Sequence, residues 1–493
     1  MTKIGGYCII KEARNAPKKE RGRNMVFSSL IFLFAYLPLT LLIYYVVPRR
    51  GRNVILFATS LVFYGWGEPV YILLMVLSIT SAYAFGFLIE RHRENAPKKA
   101  KASMIASVAV NLAFLLFFKY YNFIAQNLSL LPFLSVPVLP GLNLPIGISF
   151  YTFQIISYTV DLYRGDCRLQ RNYISFGTYV TLFPQLIAGP IVRYRDVDDQ
   201  LTLRRENLSD LSSGVERFCV GLAKKILVGD MMAACHVYFQ TLGEQSPTVL
   251  GAWLTVIFYT LHLYYDFSGY SDMAIGLGRM FGFHFPENFH YPYISQSITE
   301  YWRRWHISLS TWFREYVYIP LGGNRKGKWK QYRNLAVVWL FTGFWHGANW
   351  NFVLWGIYFC VILILEKAFL LRWMEKWPRI LRHIYTLLLV VISFLIFSFT
   401  DLSAGWRCLG AMVGVGTAGI SSALVNYQFL RWTPLLALAC IGATPWPKRV
   451  FEGLLERRKG VRYLVPALCF LALLLCTAYM VDSTFSPFAY TQF

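Results

Sequence analysis

Pro69-Val-Tyr-Ile-Leu-Leu-Met-Val-Leu-Ser-Ile-Thr-Ser-Ala-Tyr-Ala-Phe-Gly-Phe-Leu-Ile89 carries no charged side chain. Wound as a helix it rises about 32 Å, enough to cross the ~30 Å hydrocarbon core of a bilayer. Five other runs have similar character: Val26–Val47, Met104–Ala125, Phe352–Leu365, Tyr385–Phe399 and Tyr463–Val481. Shorter or Gly/Pro-broken apolar runs lie between them, at Val54–Trp66, Leu144–Leu162, Tyr173–Val192, Val249–Leu263 and Leu335–Trp345. Lipid offers the backbone no hydrogen-bond partner, so segments at membrane depth close their own bonds as helices. The sequence therefore predicts an all-α, polytopic integral membrane protein with roughly ten to twelve transmembrane or re-entrant helices.

Composition agrees. Of 493 residues, 56% are hydrophobic and only 15% charged, where a soluble domain carries about a quarter charged. The net charge of +22 raises nucleic-acid binding as an option, but its distribution excludes it. Lys and Arg gather in short loops between apolar runs: Arg49–Arg52, Arg91–Lys101, Arg164–Arg171, Arg193–Arg205, Arg325–Arg333, Lys367–Arg382 and Lys448–Arg462. This is the positive-inside pattern, with membrane lipids, including anionic headgroups, as the natural partners. The nine cysteines form no C-x-x-C pair, so neither a disulfide framework nor a zinc site is indicated.

With the basic loops on the cytoplasmic side, Val54–Trp66 and Pro69–Ile89 form a hairpin whose Gly67-Glu68-Pro69 tip points outward. Met104–Ala125 crosses outward, the uncharged Gln126–Asn143 loop lies outside, and Leu144–Leu162 returns. The basic segment Met1–Asn24 conflicts with this scheme, because Val26–Val47 separates it from the equally basic Arg49–Arg52. A chain beginning at Met25 removes the conflict. Residues 1–24 are accordingly expected to be a mis-assigned start or a disordered extension.

Two histidines interrupt this apolar character. Glu300-Tyr-Trp-Arg-Arg-Trp-His306-Ile-Ser-Leu-Ser-Thr-Trp-Phe-Arg-Glu315 follows Ser297, and Ser297-x-x-Glu300 has the form of a capping box. The spacing predicts one helix through Tyr316, with His306 sharing a face with Trp302, Arg303, Leu309, Ser310 and Phe313. Glu300 and Arg304 would pair at i,i+4 on the other side. After a Gly-rich basic turn at Pro320–Lys328, Leu335–Trp345 re-enters the membrane. Asn334 to His346 rises about 20 Å, which places His346 beyond the midplane. Gly347-Ala-Asn349-Trp-Asn then breaks the run. An ionisable group at that depth implies a polar cavity lined by protein and serves chemistry, transport or an ion pair. A neutral imidazole can take the proton of an attacking hydroxyl, with a second His or an Arg beside it for orientation or charge.

Together these stretches resemble the membrane-bound O-acyltransferase (MBOAT) superfamily. The likeness is to its bacterial branch, which includes the alginate O-acetylation membrane subunit and the D-alanyl transfer protein of teichoic acid modification. It is carried by Met25-Val-Phe-Ser-Ser, Pro145-Ile-Gly-Ile-Ser-Phe-Tyr151, Phe183-Pro-Gln-Leu-Ile-Ala-Gly-Pro190, Tyr265-Asp-Phe-Ser-Gly-Tyr-Ser-Asp-Met-Ala-Ile-Gly-Leu-Gly278, Asn288–Ser310, Leu321–Gly327 and Trp345-His-Gly-Ala348. It covers roughly residues 25–370 in family order and fades beyond 380. The resemblance implies that His346 is the family's invariant histidine and His306 its second functional one. It also implies a central tunnel in which a cytoplasmic acyl donor meets an acceptor from the other face. A lipase-like extracytoplasmic partner protein often completes transfer in this branch.

Other patterns do not carry a site. His262-x-x-x-Asp266 lies in a Tyr-rich membrane segment, the wrong setting for a soluble acyltransferase motif. Asp266 and Asp272 read as buried structural acceptors. Pro286 breaks the alignment of His284, Glu287 and His290, so no metal site is assigned. No G-x-S-x-G elbow is present.

The reading is a membrane O-acyltransferase, and an O-acetyltransferase in particular, of a bacterial inner membrane. It would act on an exported polysaccharide or cell-wall polymer, directly or through a partner. Residues 25–380 would form the catalytic core and 381–493 additional helices packed on it. His346 and His306 are the catalytic candidates. Trp302, Arg303, Arg304, Trp305, Ser310, Trp345 and Asn349 are candidates for the donor tunnel. No cofactor is bound; acetyl-CoA or an acyl carrier thioester serves as substrate, and the Arg325–Arg333 loop could dock it. The alternatives are D-alanyl transfer and, in a different class, a proton-coupled transporter.

Overall fold

The computed structural model describes residues 25–131 and 133–482. The expectation for residues 1–24 lies outside them. Every regular element among the described residues is helical. An apolar run at Phe32–Val46 contains α1 (Leu37–Val46) and leads into α2 (Arg52–Gly67), α3 (Ile72–His92) and α4 (Pro97–Leu128). Then come α5 (Ile148–Arg164), α6 (Tyr173–Thr181) and α7 (Tyr194–Leu203). The next helix, α8 (Leu208–Ala223), passes through a π-turn at Lys224–Gly229 into α9 (Asp230–Gln245), and α10 (Val249–Met280) follows. Two short pieces, α11 (Ile298–Tyr301) and α12 (Ile307–Phe313), precede the hairpin of α13 (Lys328–His346) and α14 (Trp350–Leu365). The chain finishes with α15 (Arg379–Ser398), α16 (Leu402–Met412), α17 (Ala423–Gly442), α18 (Trp446–Arg457) and α19 (Leu464–Asp482).

Five helices among the described residues are long and apolar enough to cross a membrane: Ile72–His92, Pro97–Leu128, Trp350–Met374, Arg379–Ser398 and Gly460–Val481. They coincide with five of the six long apolar runs of the sequence. Their exposed side chains are large and apolar, as on Leu73, Leu77, Leu116, Phe117, Leu354 and Leu471, which suits a surface facing lipid.

The interior is organised around α10, buried along nearly its whole length. The sequence marks only Val249–Leu263 as apolar, yet the helix continues to Met280. Its second half carries Gly, Ser and Asp because it packs on other helices instead of lipid. Gly269 and Gly276 lie against Gly221 and Gly214 of α8; a Cβ on either would come within 2.7 Å of the opposite backbone. Lys225 Nζ lies 2.8 Å from Asp230 and 3.3 Å from Asp266, and Asp272 accepts from Lys224 at 2.7 Å and Arg217 at 2.8 Å. Asp266 and Asp272 are thus structural acceptors, as the sequence suggested. His284, Glu287 and His290 turn to different partners: Asp210, Arg217 and Arg304 respectively.

The hairpin of α13 and α14 closes in the same way. A Cβ on Gly343 would sit 2.5 Å from the Phe352 carbonyl oxygen, and one on Gly356 would sit 2.5 Å from that of Trp339. Gly347 is fully extended (φ −174°), which breaks the helix where the sequence placed the break.

Candidate active site

The predicted helix from Ser297 to Tyr316 is not continuous. Ser297 Oγ does accept from the Glu300 N–H at 3.0 Å, and Glu300 pairs with Arg304 at 2.9 Å. After Tyr301, however, the chain leaves the helix and re-enters it only at Ile307. The cause is tertiary. The His290 N–H bonds to the Arg304 carbonyl at 2.9 Å, and the Ile307 N–H bonds to the Asn288 carbonyl at 3.0 Å. These bonds replace i→i−4 bonds that a continuous helix would make. His306 takes up the turn in the left-handed region (φ 44°, ψ 55°), a conformation that costs a non-glycine residue about 1–2 kcal/mol. Such local strain concentrates at functional positions.

The break sends His306 and its neighbours in different directions. His306 is fully buried, packed edge-on against Phe267 at 4.8 Å and near Trp345 at 5.9 Å. It donates from Nδ1 to Asn288 Oδ1 at 3.0 Å. The Asn288 amide has a fixed orientation, because its Nδ2 donates to Ser271 Oγ at 3.0 Å and to the Gly189 carbonyl at 3.4 Å. Oδ1 also accepts from Ser308 Oγ at 2.9 Å. A proton on Nδ1 leaves Nε2 as the acceptor nitrogen of the neutral ring.

His346 ends α13. It is 3% exposed and lies among Trp345 (4.9 Å), Trp355 (4.8 Å) and Phe397 (5.3 Å). Phe397 comes from α15, so residues beyond 380 wall this site. Trp345 lies between the two histidines' surroundings, packing on His346 at 4.9 Å and near His306 at 5.9 Å. Trp345 is in turn held by Phe150 at 5.7 Å and Phe153 at 5.6 Å, and Phe153 stacks on Trp312 at 3.8 Å.

A cavity of about 220 Å³ lies between α12 and α13. Trp302, Leu309, Phe313, Leu335 and Trp339 give it apolar walls, Ser310 and Thr342 supply hydroxyls, and the exposed Arg314 and Lys367 supply positive charge. Thr342 is one helical turn before His346. Trp355 packs against both cavity-wall Trp302 (5.6 Å) and His346 (4.8 Å), so one indole separates the cavity from the imidazole.

The sequence candidates divide accordingly. Trp302 and Ser310 line the cavity; Trp345 joins the two histidines. Arg303 is exposed. Arg304 is held away from the cavity by Glu300 and by His290 Nδ1 at 2.9 Å. Trp305 is a core residue, packed among Phe289, Tyr301 and Phe394. Asn349 is half-buried and leads into α14. The expected common face of His306 with Trp302, Ser310 and Phe313 does not form, because the left-handed turn separates them.

Two residues of the site escaped the sequence reading. One is Asn288, whose role depends on a fold-dependent contact. The other is Lys119 of α4, half-buried; its Nζ donates to the Trp345 carbonyl at 2.5 Å and lies 3.4 Å from that of His346 and 3.5 Å from Ser149 Oγ. Its neighbour Tyr120 donates to the Phe344 carbonyl. A signal for Lys119 existed: it is the only charge within Met104–Ala125.

Residues 165–405 match the model of the MBOAT, membrane-bound O-acyltransferase family. The chain is 44% identical to a probable alginate O-acetylase AlgI of Azotobacter vinelandii, over 80% of this chain and 79% of that protein. It is 33% identical to a peptidoglycan O-acetyltransferase of Helicobacter pylori, over 79% and 80%. It is 32% identical to a teichoic acid D-alanyltransferase of Bacillus subtilis, over 54% and 73%.

Proposed function

The chain belongs to the membrane-bound O-acyltransferase family, and from that premise we propose how its site acts and on what. It is a membrane O-acetyltransferase that modifies an exported polysaccharide or cell-wall polymer. In this reading it sits in a bacterial inner membrane, with ten to twelve crossing or re-entrant segments around a tunnel. Residues 25–380 form the acyltransferase core and residues 381–482 pack on it, the rest of the expected C-terminal segment lying outside the described residues. The cavity between α12 and α13 is the donor side of the tunnel. Its apolar walls suit the arm of a thioester such as acetyl-CoA or an acyl carrier, with Arg314 and Lys367 at hand for a phosphate.

The observation that carries the mechanism is the convergence of His346 and His306 on Trp345, one indole away from that cavity. His346 takes the proton of the acceptor hydroxyl as its oxygen attacks the thioester carbonyl carbon. The C–O bond forms, the C–S bond breaks, and the departing sulfur receives the proton from the imidazolium, so no net proton is consumed. His306, held by Asn288, supports the developing charge or orients the donor. The acceptor is the polymer hydroxyl or that of an extracytoplasmic partner protein. D-alanyl transfer is the neighbouring reading; the D-alanyltransferase relative aligns over the smaller share of the chain.

The test is mass analysis of surface polymers from cells carrying the wild-type protein or His346→Ala at equal membrane abundance. Loss of ester is expected, and unchanged ester content overturns the reading. A proton-coupled transporter would instead lose flux while having no ester to lose.

A further inference from the structure

We propose that Lys119 is a positioning residue for acyl transfer: its ammonium fixes the C-terminal end of α13 and thereby the place of His346. The inference rests on the mechanism proposed above. The last carbonyls of any helix lack an intrahelical partner. Glycine in the left-handed conformation commonly closes such an end, as Gly165 does after α5 (φ 83°). At the end of α13 the following glycine is extended instead, and α4 supplies the donors. Tyr120 reaches the Phe344 carbonyl and Lys119 those of Trp345 and His346.

A neutral donor satisfies a carbonyl at this position, since Tyr120 does so one residue earlier. The charge of Lys119 therefore needs its own account. A lysine inside an apolar helix is expensive and is rarely kept without a role. Here the positive end meets the negative end of the α13 dipole. It also lies 6.0 Å from the centre of the Trp345 ring, the ring against which both histidines pack. Its third neighbour, Ser149, belongs to α5, whose Phe150 and Phe153 hold the other sides of Trp345. Lys119 thus ties α4, α5 and α13 together at the residue before His346. Displacing a catalytic group by about 1 Å can cost on the order of a hundredfold in rate, so a loose helix end is enough to silence the site. Lys119 lies outside residues 165–405, the stretch matched by the family model.

The experiment compares ester content of surface polymers in cells carrying wild-type protein, K119M, K119R, Y120F and H346A, each normalised to membrane abundance. K119M is expected to lose on the order of a hundredfold in ester content per molecule. K119R should return it to within about tenfold of wild type, because a guanidinium keeps both charge and donors. Y120F, which removes one neutral donor one carbonyl earlier and leaves the charge in place, should lose less than K119M. If K119M does not accumulate, K119Q, which retains N–H donors without charge, replaces it. The inference is overturned by normal ester content in the uncharged variant, by a loss that merely follows protein abundance, or by failure of K119R to restore activity. The H346A arm separates the two ideas: normal ester there defeats the acyl-transfer mechanism, whereas loss in H346A with normal K119M defeats only the role of Lys119.

Discussion

The Nδ1–H of His306 is held 3.0 Å from Oδ1 of Asn288, an amide whose own orientation is fixed by Ser271 and Gly189. That contact sets the tautomer of the ring and directs Nε2 as the acceptor. Replacing Asn288 by Ala removes the acceptor for His306 and Ser308 at once. Leaving a buried donor unmade costs about 1–3 kcal/mol. Activity should fall by about tenfold or more with the thermal midpoint lowered; a purified Asn288→Ala protein with unchanged ester-forming activity would remove Asn288 from the site.

Removing the imidazole of His306 should be separable from damaging the fold. Asn tolerates the left-handed conformation that His306 adopts, so His306→Asn should accumulate in membranes at wild-type levels. General acid–base groups contribute typically 10²–10⁴-fold. The expected result is a loss at the lower end of that range for His306→Asn and at the upper end for His346→Ala, measured as ester per molecule.

Close contact of Gly343 with Gly356 makes the α13–α14 hairpin sensitive to a single methyl. Gly356→Ala would place a Cβ against the Trp339 carbonyl, and overpacking of this kind costs about 1–3 kcal/mol. A lower thermal midpoint in detergent is expected, together with reduced ester content, because the displaced helix carries His346. The same substitution at Gly453, where a Cβ meets nothing within 4 Å, should change neither.

Filling the cavity should affect the donor and not the fold. Ser310 is half-buried on its wall, so Ser310→Trp occupies space without removing a buried contact of the core. The prediction is loss of ester content at normal abundance and thermal midpoint. Full activity would exclude this cavity as the donor path.

Glu315 links the end of α12 to the start of α7, pairing with Arg193 at 2.5 Å and with Arg195. Burial acts to raise its carboxyl, but the two arginines outweigh it and hold the group below the ordinary carboxylate range. A carboxylate whose folded pKa is depressed adds stability that is complete above its unfolded value and disappears as pH falls through the folded one. Thermal midpoints of wild type and Glu315→Gln should therefore differ at neutral pH and converge on acidification below the usual carboxylate range. An equal gap at every pH would show that the carboxylate contributes nothing.

Much of this protein was legible in the chain. The apolar runs Pro69–Ile89, Met104–Ala125 and Tyr385–Phe399 all became long helices, because length and lack of charge suffice where lipid forces the backbone to bond with itself. His346 at a break after an apolar helix was equally visible, as was the Glu300–Arg304 pair, since both follow from local spacing. The family resemblance rested on the same local motifs.

The turn at His306 was not legible. Its helical pattern is interrupted by backbone bonds from His290 and to Asn288, segments that meet residues 304–307 only after the chain has folded. Periodicity put His306 beside Trp302 and Ser310, whereas the structure gives those two to the cavity and turns His306 toward Phe267, Asn288 and Trp345. Trp305 packs in the aromatic core and Arg304 pairs with Glu300, and neither lines the cavity. Lys119 and Asn288 joined the site from α4 and from the loop after α10. The sequence by itself determined that this is a helical membrane protein and singled out His306 and His346 as candidates. Only the tertiary structure decided what surrounds them, because hydrogen bonds between distant segments outweighed the local preference for a continuous helix.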